Sequence, residues 1–259
     1  MSIALLPDVV AWLDDALRTS EIPDYDGALN GLQLSNRGEV TRVAAAVDFS
    51  RRTVDMTIAS GADLLLLHHG MFWSGARPIV GPVYERLALL MAHGVAVYAS
   101  HLPLDLHAEL GNNALLARAL GLSPGSGFGA WKGLSIGVAG ESDLMTSELL
   151  ARTRAFAGEY GGSVVATPFD AVRHTRHWAI VTGAGASSAT LREAQAAGVD
   201  TLIVGEGPHH TAVDADDSGL VVLYAGHYAT ETLGVQALAR ALESRFELPW
   251  SFIHAPTGL

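Results

Sequence analysis

Apolar and polar positions along the chain follow two alternating patterns, one typical of helices and one typical of short buried strands. Apolar residues at helical spacing predict helices over residues 7–18, 51–60, 82–92, 112–120, 144–157, 189–197 and 232–243. Short apolar runs predict strands over residues 43–47, 64–67, 95–99, 134–138, 163–167, 178–181, 202–204 and 220–224. Short strands that alternate with helices of this length predict an α/β fold with mixed, largely parallel sheets flanked by helices.

One stretch interrupts this alternation more clearly than the others. Residues 123–130, SPGSGFGA, are rich in Gly, Ser and Pro and are predicted to form a linker. We therefore expect two interlinked α/β domains. The first would comprise residues 1–125 with about 225–259 and carry the metal ligands considered below, and the second would comprise residues 126–224.

A weak internal repeat relates the two predicted parts. VAAAVDFSRRTVDMTIASGADLLLLHHG is followed by HGVAVYASHLPLD, and WAIVTGAGASSATLREAQAAGVDTLIVGEG is followed by SGLVVLYAGHYATE. Any two strand–helix–strand units look alike at this level, which is the alternative explanation. Both copies, however, end in a histidine with a carboxylate four residues later, His101 with Asp105 and His227 with Glu231. That match favours a true repeat.

Polar side chains that can bind a metal follow four of the predicted strands. In parallel α/β units, functional groups gather beyond the carboxyl ends of the strands. The residues at these positions are His68 and His69 after 64–67, His101 after 95–99, Glu206 after 202–204, and His227 after 220–224. Four such strand ends in one chain indicate a functional site.

The composition narrows the chemistry of that site. The chain has eleven histidines and no cysteine, so it offers imidazole and carboxylate ligands but no thiolate. Such a set suits Zn, Fe, Mn, Co or Ni and does not select one of them. His227 and Glu231 are four residues apart, so on a helix they could share one ion. An acid placed near a helix N-terminus explains this pair equally well.

The adjacent histidines raise the question of how many ions the site holds. Neighbouring residues of a regular strand face opposite ways, so His68 and His69 are poorly placed to bind one ion. At a strand end they could reach two ions, one each, which suggests a dinuclear site bridged by a carboxylate. Pro103 disfavours a helix through His101 and Leu102, so His101 and Asp105 need not point the same way.

Charge and hydropathy limit the partners and the compartment. The net charge is −11, and no stretch is rich in Lys or Arg, so nucleic-acid binding is not expected. No apolar run approaches the roughly 20 residues that cross a bilayer. The start, MSIALLPDVVAWLDDAL, is predicted to be an amphipathic helix rather than a signal peptide. With no cysteine, cytoplasmic localisation is the expectation.

Five stretches together resemble a known family. They are DGALNGLQL, HHGMFWSG, SHLPLDLHAELGNN, GEGPHH and GHYATE, in this order between Asp26 and Glu231. They resemble the signature stretches of the Nif-three-like dinuclear metal-centre family, often labelled type 2 GTP cyclohydrolase I homologues, in its short bacterial form. The resemblance implies a two-part α/β subunit and a toroidal hexamer. It also implies two divalent transition-metal ions per subunit, held by His68, His69, Asp105, His227 and Glu231, with Asp105 or Glu231 as the bridge.

Other residues in these stretches are expected to act beside the ligands. His101 and Glu206 are expected to orient the ligands or to contact a metal-bound water, and they are the candidate proton-transfer residues. His101 is equally well explained as a structural histidine at a strand end. His209 and His210 could line the site or form a solvated turn. The aromatic residues Phe72, Trp73 and Tyr228 could wall a pocket, but core packing is the expected role of each. The lone histidines, His93, His107, His174, His177 and His254, are expected to be surface or packing residues.

Two functions fit these observations. The first is a metal-dependent hydrolase that acts on a nucleotide or phosphate-bearing substrate, with two ions that activate water. The second is a non-catalytic hexameric metal-binding protein in metal handling, regulation or scaffolding. GAGASS at residues 183–188 matches neither a dinucleotide fingerprint nor a P-loop, and it is predicted to be a tight turn between a strand and a helix. A nucleophile elbow places G-x-S-x-G between a strand and a helix, whereas GLSIG at residues 133–137 falls on a predicted strand, so a serine triad is not supported.

Overall fold

A computed structural model of the chain describes residues 2–73 and 75–259, so Ser74 of the HHGMFWSG stretch lies outside the described residues. The chain divides into two compact units. Unit 1 comprises Met1–His107 and Gly234–Ala255, and unit 2 comprises Ala108–Leu233 and Pro256–Leu259. Among the described residues, no helix combines the length and hydropathy needed to span a membrane.

Unit 1 is built around a sheet of five strands. The strands of unit 1 are β1 (Ala4–Leu5), β2 (Gly31–Leu34), β3 (Glu39–Val40), β4 (Val43–Asp48), β5 (Leu64–His69), β6 (Ala96–Ala99) and β13 (Trp250–Phe252). Of these, β1 and β3 pair with each other in a separate two-stranded sheet. The order in the main sheet is β13-β4-β5-β6-β2, in which β13, β4, β5 and β6 are parallel and β2 is antiparallel to β6. The helices of unit 1 are α1 (Leu6–Leu17), α2 (Arg51–Ala59), α3 (Pro82–His93) and α4 (Leu102–Asp105), with most of α10 (Thr232–Phe246).

The central strands of unit 1 explain why its polar groups gather at one edge. Residues 44–47 of β4 and 64–67 of β5 are at most 2% exposed, so both faces of the sheet are covered. A parallel strand that is buried on both faces is a continuous apolar run, as the four leucines of β5 show. The sheet therefore tolerates polar side chains only where its strands end.

Unit 2 is built around a mixed sheet of six strands. They are β7 (Ser126–Trp131), β8 (Leu134–Met145), β9 (Val165–Ala166), β10 (His174–Val181), β11 (Thr201–Val204) and β12 (Val221–Tyr224). The order is β7-β8-β10-β11-β12-β9, in which β10, β11 and β12 are parallel and the other pairings are antiparallel. The helices of unit 2 are α5 (Asn112–Ala119), α6 (Thr146–Glu159), α7 (Ser188–Ala196), α8 (His209–Ser218) and α9 (His227–Thr230).

The predicted linker at residues 123–130 is wrong, because most of it is strand β7. This strand pairs with β8, and Phe128 is 3% exposed in a core that includes Leu191 and Leu202. The Gly and Ser content does not predict a strand, because the stability of β7 comes from pairing with β8 and from the buried Phe128 ring rather than from local propensity. For the same reason β8 continues to Met145, and the helix predicted from residue 144 begins at Thr146.

The boundaries of the units also differ from the predicted domains. Residues 108–125 and 225–233 belong to unit 2. The reason is helix α5, whose residues Leu116 and Ala117 are buried in one core with Trp178 and Ile180 of β10. His227 and Glu231 consequently belong to unit 2, whereas His68, His69 and Asp105 belong to unit 1.

The internal repeat has a structural counterpart in each unit. Both units contain three parallel strands joined by helices and followed by a short helix, β4-α2-β5-α3-β6-α4 in unit 1 and β10-α7-β11-α8-β12-α9 in unit 2. The local hydrogen bonds also match. Asp63 accepts the backbone N–H groups of Thr41 and Arg42, as Asp200 accepts those of Arg176 and His177. The side chains of Ser50 and Ser187 cap α2 and α7 in the same way.

Candidate metal centre

In unit 1 the carboxyl ends of the parallel strands β4, β5 and β6 lie side by side and bring three imidazole rings together. The ring centroids are 4.8 Å apart for His68 and His69, 4.9 Å for His68 and His101, and 5.7 Å for His69 and His101. One ring nitrogen from each lies within 4.8 Å of the other two, so these three residues could hold a metal ion.

The two adjacent histidines converge because each ring is bound to a different neighbouring strand. His69 lies opposite Asp48 of β4 in the strand pairing, and its Nδ1 is 2.8 Å from Asp48 Oδ1. His68 Nδ1 is 2.9 Å from the carbonyl oxygen of Ser100, which directly follows β6. The two hydrogen bonds hold rings of successive residues near each other at the strand end, where a regular strand would separate them.

His101 is held by a loop that precedes β2. Asp24 Oδ1 lies 2.9 Å from His101 Nδ1, while Asp24 Oδ2 accepts the N–H of Leu102 at 3.0 Å and the side-chain amide of Asn30 at 2.8 Å. Burial raises the pKa of Asp24, but its hydrogen bonds with His101, Asn30 and the N–H of Tyr25 outweigh this and hold the pKa below its usual value. Asp24 is thus an ionised acceptor that fixes the His101 ring.

Asp105 completes the ligand group of unit 1. Helix α4 begins at Leu102, although Pro103 was expected to disfavour a helix at this residue, and it ends at Asp105. Asp105 is 8% exposed, and its Oδ2 lies 3.5 Å from His68 Nε2. His101, which precedes α4 as its N-cap, and Asp105, the last residue of α4, therefore both lie next to His68.

In unit 2 the end of β12 leads into α9, which carries the second ligand group. His227 Nε2 lies 3.1 Å from Glu231 Oε2, and His227 Nδ1 lies 2.6 Å from Glu206 Oε1, just beyond the end of β11. Burial lowers the pKa of His227, but the Glu231 and Glu206 carboxylates outweigh it and raise the pKa from 6.5 to about 9. A metal ion that binds Nε2 must therefore displace a proton from this position.

The turn at residues 183–188 also serves the second ligand group. It joins β10 to α7, as the sequence predicts. Gly183 has φ +62°, and a Cβ atom at this position would overlap the carboxylate of Glu231 and lie 3.2 Å from His227 Nε2. The glycine is thus required both by its backbone conformation and by the space that Glu231 occupies.

One chemical feature is common to the four histidines. In each, Nδ1 faces a carbonyl or carboxylate oxygen, so Nδ1 is the donor and Nε2 is the nitrogen left to bind a metal, in His227 after loss of its proton. This is the arrangement by which proteins orient imidazole ligands of metals. Together with the buried carboxylates of Asp105 and Glu231, the nitrogen and oxygen donors fit a first-row transition metal.

The aromatic residues near the histidines differ in their placement. Trp73 is 40% exposed, and its ring lies 4.6 Å from that of His69 and 4.4 Å from that of His101. It therefore forms a wall beside the cluster, and the predicted core position is wrong for this residue. Phe72 is half-buried and lines a cavity of unit 1. Tyr228 is 3% exposed, in agreement with core packing.

The other histidines considered in the sequence lie at exposed or half-buried positions. His209 and His210 begin α8 and are exposed, with His210 Nε2 3.2 Å from Ser188 Oγ, so they form a solvated helix start. His107 is half-buried, and exposed positions are found for the remaining lone histidines, His93, His174, His177 and His254.

The sequence analysis missed Asp24 and Asp48. Asp48 follows an apolar strand and could have been found by the same strand-end rule, whereas the loop position of Asp24 carries no such signal.

A mixed α/β fold with a histidine and carboxylate cluster at its strand ends defines a class of candidate metal proteins, and similarity to known proteins gives the family. The model of the family Duf34/NIF3 (NGG1p interacting factor 3) matches residues 4–257, and the chain belongs to this family. The chain is 41% identical to a Deinococcus radiodurans protein named GTP cyclohydrolase 1 type 2 homolog, and the match covers 97% of this chain and 94% of that protein.

A second relative of the same name, from Halobacterium salinarum, is 42% identical, and the match covers 97% of this chain and 98% of that protein. Among solved structures, that of TTHA1606 from Thermus thermophilus superposes with a TM-score of 0.82 at 36% identity. This superposition covers 99% of the present chain and 100% of the other chain. The family resemblance inferred from the five sequence stretches is thus confirmed.

The Asp48–His69 hydrogen bond gives a first prediction. We expect Asp48→Asn to weaken metal binding about 10- to 100-fold, because the neutral amide orients the imidazole less firmly. Metal affinity can be measured by competition with a chelator. Asp143→Asn is a matched control, since Asp143 makes a similar 2.8 Å contact with the exposed His174. Equal affinity of the two variants would show that Asp48 does not support a metal ligand.

Gly183 gives a second prediction. Gly183→Ala should lower metal affinity by roughly tenfold or more, because its methyl group would displace the Glu231 carboxylate. Gly219→Ala separates this effect from backbone strain, since Gly219 has a similar φ of +69° but no heavy atom within 4 Å of an added Cβ. If the two variants lose the same metal affinity and the same thermal stability, contact with Glu231 is not the reason for the glycine.

Proposed function

We propose that the chain is a dinuclear metal-binding protein and acts as a metal-dependent hydrolase on a nucleotide or phosphate-bearing substrate. The observation that carries this proposal is the common orientation of four imidazoles, each with Nδ1 bound to an acceptor and Nε2 left to bind a metal. The ring centroids of three of them are no more than 5.7 Å apart. Buried carboxylates beside them supply the negative charge that a divalent cation requires.

We further propose that the ligand groups of the two units serve the same pair of ions. His227 and Glu231 alone are two ligands, fewer than the three or four protein ligands of ordinary metal sites. His68, His69 and Asp105 likewise cannot close two sites by themselves. The combined set of five residues, with Asp105 or Glu231 as a bridge, is the one that the family resemblance implies.

Two bound ions would lower the pKa of a water molecule and stabilise the negative charge that develops during hydrolysis. The chain would do the rest. His68, His69 and His227 would hold the ions through Nε2, while Ser100, Asp48 and Glu206 keep the rings oriented. His101, fixed by Asp24, would accept or return a proton at Nε2 during the reaction. Trp73 would shield one side of the cluster from bulk water.

The proposed substrate class follows from charge. The chain has a net charge of −11 and would repel a phosphate unless local cations attract it. The metal ions would supply that attraction at the reacting group. The relatives are named GTP cyclohydrolase 1 type 2 homologs, which supports a nucleotide as one member of this class. No sequence motif in this chain indicates a pocket specific for guanine.

The alternative is a non-catalytic hexameric metal-binding protein in metal handling, regulation or scaffolding. One observation favours it. His68, Asp105 and Glu231 are 1%, 8% and 2% exposed, and deeply buried ligands are typical of metal sites that are fully ligated. The half-buried His227 and the exposed Trp73 favour an enzyme, because they leave one side of their groups open to a ligand.

The proposed function predicts that one variant loses both metal and turnover, whereas another keeps the metal and loses only turnover. Purified protein should contain close to two transition-metal ions per chain by elemental analysis, and the metal-loaded protein should hydrolyse at least one compound in a panel of nucleotides and phosphoesters. Asp105→Asn should lower the metal content and abolish turnover, because it removes a ligand. His101→Asn should retain the metal and lose turnover about 100-fold or more, because it removes only the proton acceptor.

Three results would contradict this proposal. Protein that contains no metal after gentle purification would exclude the metal site. Loss of metal in His101→Asn would make His101 a ligand rather than a proton acceptor. A protein with two ions that shows no turnover against the whole panel would favour the alternative.

We also propose that the chain assembles into the toroidal hexamer that the family resemblance implies. Exposed apolar side chains in one segment of unit 1 support an interface, namely Ile79, Val80, Tyr84 and Met91, which are 52–67% exposed. Multi-angle light scattering should give a mass of about six chains of 27.2 kDa. Val80→Asp should shift the mass toward smaller species, since it would bury a charge at an interface. A monomeric wild-type protein would exclude the hexamer.

A further inference from the structure

A cavity of about 220 Å³ in unit 1 adjoins the histidine cluster. Its walls come from the segment that follows β5, from the first half of α3 and from the residue that follows β4. The lining side chains used below are Phe49, Phe72, Trp73, Arg77, Arg86 and Leu87. We call this cavity the Arg77–Arg86 pocket.

The pocket is cationic in an acidic protein. Two arginines line it, and none of its described lining residues is acidic. Among the residues that the structure describes, neither arginine lies within ion-pair distance of a carboxylate. Glu85, the sequence neighbour of Arg86, is instead 3.6 Å from Arg51. Unpaired arginines beside a cavity are unexpected in a chain of net charge −11.

Arg86 is fixed in position without a hydrogen-bond acceptor for its Nε. That atom is buried, and no hydrogen-bond partner is found for it in the described part of the chain. Its guanidinium carbon lies 5.0 Å from the centre of the Phe49 ring, a cation–π contact that holds the group at the wall. A buried donor without an acceptor is costly, and an anion in the pocket would satisfy it.

Trp73 connects the pocket with the candidate metal ligands. It lines the pocket, and its ring lies 4.6 Å from that of His69. Gly70, which directly follows His69, lines the pocket as well. A ligand that lies against Trp73 would therefore contact both the Arg77–Arg86 pocket and the histidine cluster of unit 1.

We propose that the Arg77–Arg86 pocket binds an anionic group of the substrate, a phosphate or a carboxylate, while a planar part of the same molecule packs against Trp73. This inference rests on the proposed function, because it assigns the part of the substrate that does not react. Arg86 and Arg77 bind the anion as hydrogen-bond donors, and the reacting bond lies toward His69. The substrate class thus consists of compounds in which an aromatic ring carries an anionic group.

The test uses phenylphosphonate, whose carbon–phosphorus bond resists hydrolysis, and methylphosphonate, which lacks the ring. Their affinities for the metal-loaded protein are measured by isothermal titration calorimetry, with metal content determined in the same samples. We expect the wild type to bind phenylphosphonate more tightly than methylphosphonate. Arg86→Gln should weaken binding of both compounds about tenfold or more. Arg77→Gln should weaken it as well, and this residue is exposed, so its replacement leaves the fold intact.

Arg154→Gln is the matched control, since Arg154 is an exposed arginine of α6 in unit 2. Wild-type affinity in both pocket variants, or equal affinity of the wild type for the two phosphonates, would overturn the proposal. The result also separates the two hypotheses. If the protein cannot be loaded with metal and Arg86-dependent binding is still measured, the proposed function fails and the pocket stands. If two ions are present and phosphonate binding does not depend on either arginine, the proposed role of the pocket is wrong and the proposed function stands.

Discussion

The candidate ligand groups of both units depend on one kind of interaction, the hydrogen bond that each imidazole makes through Nδ1. An imidazole ring on a flexible side chain presents either nitrogen, and a metal site needs the same nitrogen in a fixed direction each time. Asp48, Ser100, Asp24 and Glu206 provide the four acceptors. Two of these acceptors follow from sheet register, because Asp48 is paired with His69 and Ser100 follows the neighbouring strand. The parallel sheet thus determines ring orientation, and the apolar run of β5 is needed to keep that register.

Each of these groups also carries an electrostatic cost that the apolar strands alone do not offset. Asp105 and Glu231 are nearly inaccessible to water, and a buried carboxylate is stable only with a cation or with several donors. The raised pKa of His227 shows the effect directly, because between two carboxylates its imidazole retains a proton well above the usual range. Burial and the carboxylates of Asp24 and Asp105 raise the pKa of Tyr25 in unit 1, which again indicates a region of negative potential. The surroundings of His227 in unit 2 and of Tyr25 in unit 1 therefore both favour a cation.

Much of this arrangement could be predicted from the sequence, and the failures have physical reasons. The strand of four leucines and the helix after Ser50 were predicted because a local pattern of burial and a cap determine them. The candidate ligands His68, His69 and His227 were predicted because they follow such strands. Asp24 was missed because a loop without periodicity brings it to His101. Strand β7 was missed because its stability comes from pairing with β8, and Trp73 was misplaced because ring contacts do not depend on sequence spacing.

The two copies of the repeat use the same strand end in opposite ways. His68 and His69 of the first copy correspond to Gly205 and Glu206 of the second. A Cβ atom at Gly205 would lie 2.8 Å from Thr230 Oγ1 and 2.9 Å from His227 Cα, so this position has to lack a side chain for α9 to approach. Glu206 then acts as the acceptor for His227, where the first copy presents an imidazole. The first strand differs correspondingly, because Asp48 supplies an acceptor where Gly183 leaves space for Glu231. At one strand end the first copy has the imidazole of His68 where the second copy has Gly205. At the other, the first copy has the carboxylate of Asp48 where the second has Gly183. These two differences explain how one topology gives two different sets of candidate ligands.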